Sequence, residues 1–61
     1  MYAKYVAARD EKGVTDYRVS KATGITKSTF TDWKNGRSEP KIEKIKKIAD
    51  FFGKPIEYFL E

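Results

Sequence analysis

The 61-residue chain has no cysteine, no histidine and only two prolines. Without cysteine no disulfide can staple so small a fold, and without cysteine or histidine the usual zinc and soft-metal ligands are missing, so packing alone must hold the chain together. Long apolar runs are missing too. The longest, Tyr5-Val6-Ala7-Ala8, falls far short of the roughly 20 residues that span a bilayer, and no basic segment leads into the apolar core of a secretory signal. The same absences weigh against catalysis. A domain of this size encloses little of a substrate pocket, and an enzyme would have to work from a surface carboxylate pair such as Asp10-Glu11. Ser38-Glu39-Pro40-Lys41 fits an S-x-x-K pattern, but no partner motif accompanies it. The expectation is one soluble, cytoplasmic, non-enzymatic domain that needs no cofactor.

What the chain does have is unevenly placed positive charge. Its 13 Lys and Arg against 9 Asp and Glu leave a net charge of +4. From Tyr17 to Arg37 the basic residues are Arg18, Lys21, Lys27, Lys34 and Arg37, opposed only by Asp32, so the whole excess falls in that segment. Such a patch attracts a polyanion through phosphate contacts and counterion release, and equally it can be a solvated helix face.

Breakers divide the chain into five short helices, with no strand-like alternation and no repeat. The first runs roughly from Tyr2 to Lys12, turns Met1, Tyr5 and Ala8 inward, and stops at Gly13. Thr15 is placed to cap the second, with Asp16 at the positive end of its dipole and Gly24 at its close. Thr26 is placed to cap the third, from Lys27 to about Asn35, which Gly36 ends. Beyond Pro40, Ile42, Ile45, Ile48, Ala49 and Phe52 recur at helical spacing as a core face, leaving Lys44, Lys46, Lys47 and Asp50 to solvent. Gly53 ends this fourth helix, and Pro55 opens a fifth carrying Ile56, Phe59 and Leu60.

The segment VTDYRVSKATGITKSTFTDWKNG has the pattern that a helix-turn-helix requires. Val19, Ala22, Phe30 and Trp33 are expected to face the core, Ser20 lets the helices approach, and Gly24 permits the sharp turn. Lys27, Ser28, Thr31 and Asp32 then share the opposite surface of the third helix. Short polar side chains with one cation and one anion suit the reading of base edges. Asp32 can accept from a cytosine amino group or orient a neighbouring cation.

In these features, together with Arg9, Asn35-Gly36, Pro40 and Ile48-Ala49-Asp50-Phe51-Phe52-Gly53, nearly the whole chain resembles the Cro/repressor-type (Xre) helix-turn-helix family. The resemblance implies an all-α, five-helix, lambda-repressor-like domain that binds operator DNA in a prokaryotic or phage transcriptional regulator. It implies base contacts from Lys27, Ser28, Thr31 and Asp32, with Thr26 and Thr29 close by. Phosphate contacts are implied for Arg9, for the start of the second helix, and for Asn35 and Arg37. Two positions depart from the family. Many relatives carry Gln where this chain has Asp16, whose carboxylate repels a phosphate, which passes that contact to Tyr17 or Arg18. Many also carry Glu where this chain has Lys34, so their ion pair with the residue at Arg9 cannot form, and Arg9 and Lys34 are both expected to face DNA.

One recognition helix reads few base pairs, so a homodimer on a pseudo-palindromic site is the expected assembly, with Tyr58 as a candidate contact and Ile56 and Phe59 closing the core. The same scaffold can instead serve as a protein-interaction module, such as an antitoxin or an anti-repressor partner. The basic, polar third helix favours double-stranded DNA.

Overall fold

A computed structural model describes all residues 1–61. Its elements are α1 (Tyr2–Lys12), α2 (Asp16–Thr23), α3 (Lys27–Lys34), α4 (Ile42–Phe52) and α5 (Ile56–Leu60). There is no strand, as the sequence predicts. No helix is long and apolar enough to cross a membrane.

The helix ends follow local chemistry. Thr15 adopts an extended conformation and its Oγ1 accepts from the Arg18 N–H at 3.1 Å, closing one open donor at the start of α2. Gly24 ends α2 in the left-handed region, with φ 79°, where a Cβ is disfavoured. The start of α3 differs from expectation. Thr26 stands at the cap position, but its hydroxyl makes no bond to the helix backbone. It lies instead 3.1 Å from Ser28 Oγ and 2.9 Å from Thr29 Oγ1, so neighbouring hydroxyls satisfy one another, while the Thr29 N–H donates to the Thr26 carbonyl at 3.1 Å.

α4 packs against α1, α2 and α5, and α2 against α3, around one core. That core comprises Tyr5 and Ala8 of α1, Val19 of α2, Ile25 in the turn, Phe30 and Trp33 of α3, Ile45, Ile48 and Ala49 of α4, and Phe59 of α5. Tyr5 stacks on Phe30 with centroids 4.9 Å apart, and Phe30 meets Trp33 edge-on at 5.3 Å. Aromatic pairs in such geometries add to the value of their burial. The inward placement of Tyr5, Ala8, Val19, Phe30 and Trp33 agrees with the spacing; Met1 and Ile56 pack on the core while partly exposed.

Two apolar residues expected inside, Ala22 and Ile42, lie outside, and Leu60 lies outside with them. Ala22 is exposed because the inner side of α2 passes through Val19 and the half-buried Thr23 to Ile25. Ile42, 56% exposed, is the first residue of α4 and sits one turn ahead of Ile45, where the buried stripe begins. Leu60, 55% exposed, ends α5 while Phe59 supplies the buried contact.

Candidate nucleic-acid interface

The turn from α2 to α3 is only Gly24-Ile25-Thr26. Thr23 Oγ1 donates to the Val19 carbonyl at 2.7 Å and accepts from the Ile25 N–H at 3.3 Å. One side chain thereby links a carbonyl of α2 to an N–H within the turn, and Ile25 itself is fully buried. Phe30 and Trp33 then fix the rotation of α3, because both must stay in the core.

With its inner face so determined, α3 presents Lys27, Ser28 and Thr31 to solvent. Thr31 Oγ1 donates to the Lys27 carbonyl at 3.3 Å. Its proton is thus directed inward and its lone pairs outward, as an acceptor for a base amino group. Asp32 is half-buried at the edge of this surface, with Oδ1 3.5 Å from Arg37 Nη1. Lys34, Asn35 and Arg37 are all exposed. On α2, Arg18 is exposed, and Tyr17 is 58% exposed with the Lys21 ammonium 5.6 Å from its ring centre.

Arg9 is placed differently. Its Nη1 donates to Asp16 Oδ1 at 3.0 Å and its Nε to Asp10 Oδ1 at 3.1 Å, and its side chain is only 23% exposed. The phenol of the fully buried Tyr5 donates to the same Asp16 oxygen. Burial raises the Asp16 pKa, but the hydrogen bonds from Tyr5 and Arg9, with the nearby charges of Arg9 and Lys27, outweigh it and hold the carboxyl below its ordinary 3.8. Tyr5 is pushed well above the usual phenol value, by burial first and by its bond to Asp16 second. Arg9 is raised chiefly by its hydrogen bond to Asp16. From the sequence Asp16 is a dipole partner and a carboxylate that repels phosphate; this cluster is not legible there, because its members stand 7 and 11 residues apart and no local pattern joins them. Arg9, Asp16, Thr31, Lys34 and Asn35 line one open groove of about 410 Å³ between α1 and α3.

Two helices locked across a three-residue turn, the second showing a polar, basic face, define a helix-turn-helix domain. A family model described as Helix-turn-helix matches residues 7–59, and the chain belongs to that family of DNA-binding domains, in its Cro/repressor-type (Xre) form. It is similar to the cryptic phage CTXphi transcriptional repressor RstR of Vibrio cholerae, with 33% identity over 48 residues that cover 79% of this chain and 43% of that protein. The chain thus spans less than half the length of that relative. No solved structure matches it significantly.

Proposed function

We propose that the chain is a sequence-specific double-stranded DNA-binding domain of a prokaryotic or phage transcriptional repressor, cytoplasmic, with α3 seated in the major groove. The observation that carries this reading is the outer face of α3, where Lys27, Ser28 and Thr31 are exposed on a helix whose back is held by Phe30 and Trp33. Lys27 is suited to guanine acceptors and Thr31 to a base amino group, with Ser28 beside them and Asp32 at the edge. Tyr17, Arg18, Lys34, Asn35 and Arg37 surround that face and hold the DNA backbone, which fixes register without reading sequence. Two copies occupy pseudo-palindromic half-sites about one helical turn, roughly 34 Å, apart.

Selection of bound sites from random duplex DNA tests the reading, and failure to enrich any motif rejects sequence-specific binding. On the selected site, Lys27→Ala changes the preferred base. Arg37→Ala instead weakens all duplexes alike and flattens the salt dependence by about one unit. Sedimentation with and without the duplex gives the stoichiometry, and one-to-one binding to an asymmetric site rejects the paired assembly.

A further inference from the structure

We propose that Asp16 is an intramolecular stand-in for a DNA phosphate: it holds the Arg9 guanidinium against the protein and thereby weakens the grip of the domain on the DNA backbone. The inference rests on the DNA-binding reading above and assigns a positioning role within the same face.

The geometry starts from α1. Helical spacing puts Tyr2, Val6 and Arg9 along one flank, and that flank forms one wall of the groove whose other wall includes Thr31, Lys34 and Asn35 of the α3 end. Lys34 is exposed there and makes no ion pair, so it is available to an incoming anion. Arg9 lines the same groove, but two of its donors are occupied by carboxylates, Asp16 at 3.0 Å and Asp10 at 3.1 Å. The two carboxylates offset the charge of the guanidinium itself, and Lys27 also acts on Asp16. A phosphate entering the groove meets Lys34 on one wall and an already neutralised guanidinium on the other.

Asp16 cannot readily swing away to release Arg9. Its Oδ1 also accepts from Tyr5, which is wholly buried, and departure of the carboxylate leaves that phenol proton without a partner. Asp16 is also the first residue of α2, so its backbone is fixed by the helix that Thr15 caps. The short charge-assisted bonds are partly shielded from solvent and therefore only weakly screened by salt. Asp16 thus withholds one cation from the phosphate contacts, and does so on specific and random duplexes alike.

The test is a double-mutant cycle between Asp16→Asn and Arg9→Ala, read as duplex affinity against salt concentration on a selected and on a random duplex. Asn retains an oxygen to accept from Tyr5 but carries no charge. Asp16→Asn should tighten binding several-fold and steepen the logarithmic salt slope by about 0.9, the signature of one added phosphate contact. Adding Arg9→Ala should remove both gains. An unchanged slope overturns the proposal; so does a gain that survives the loss of Arg9, which reports only the removal of a repelling carboxylate. A role in folding alone moves the melting temperature and not the slope. Should Asp16→Asn fail to fold, Arg9→Ala by itself decides: a slope loss well under half of the ~0.9 supports the proposal, and the full loss shows that Arg9 already grips a phosphate. If the unaltered protein binds no duplex, the DNA-binding reading falls and this inference with it, whereas binding that is insensitive to the cycle removes the inference alone.

Discussion

α2 and α3 are both eight-residue helices, and they are held in opposite ways. α2 buries one side chain, Val19, and is tied at its start: Thr15 caps it, and Asp16 fastens its first turn to Tyr5 and Arg9 of α1. α3 buries Phe30 and Trp33, and no side chain caps its start, with Thr26 turned toward hydroxyls and Lys27 as its first residue. The hydroxyls of α3 bond only within the helix and its cap, Thr31 to the Lys27 carbonyl and Ser28 and Thr29 to Thr26, and none of them ties α3 to another helix. α3 is anchored by its back, and α2, with little apolar surface, by its end.

The largest effect should come from cutting the anchor of α3. Trp33→Ala, at a position only 7% exposed, costs about 3–5 kcal/mol. That is a large part of the stability of any small domain. Loss of the cooperative thermal transition in circular dichroism is the expected result, and an unchanged midpoint would show α3 held by something other than its aromatics.

The tie of α2 comes next. Tyr5→Phe keeps the ring stacked on Phe30 and deletes only the donor to Asp16, a hydrogen bond to a charged acceptor worth about 1.5–3 kcal/mol. Its pH profile is the sharper readout. The Asp16 pKa is lowered in the folded state, so its contribution is fully present above the ordinary 3.8 and is lost as pH falls through the lower folded value. Melting midpoints across the acid range should fall more steeply in the unaltered protein than in Tyr5→Phe, and parallel profiles would show that Asp16 is not the group responsible.

The two threonines at the cap positions give the direct contrast. Thr15→Ala removes a side-chain acceptor from the Arg18 N–H and should cost about 1 kcal/mol by urea unfolding. Thr26→Ala removes no bond to the helix backbone and should cost less than about 0.5 kcal/mol. Equal losses would mean that Thr26 caps α3 in solution, and the distinction between the two helix starts would disappear.

Much of this architecture is legible from short stretches of chain. A glycine after each of the first four helical segments and Thr15 before α2 mark boundaries through bonds that reach no more than about five residues. The inner face of α3 is legible because Phe30 and Trp33 are three apart, and the outer polar face follows from it. Ile25 gave a weaker signal: an apolar residue just after a helix-ending glycine is often buried against the helix it follows, and here it is fully so. Periodicity failed at Ile42, which keeps the apolar character of its neighbours but stands at the very start of α4 and is exposed, and at Ala22, one residue before the end of α2.

The sequence by itself determined the five helices, their ends, and which side of α3 points outward, since each depends on residues within a turn or two of one another. Only the tertiary structure decided what Asp16 and Arg9 do. Side-chain spacing within α1 cannot show that Arg9 meets the first residue of the next helix, or that a buried phenol 11 residues away shares the same carboxylate oxygen. Those partnerships exist because α1 and α2 pack around a common core and bring three polar groups into one partly shielded corner. There a charge without a partner is costly and a paired one stays in place.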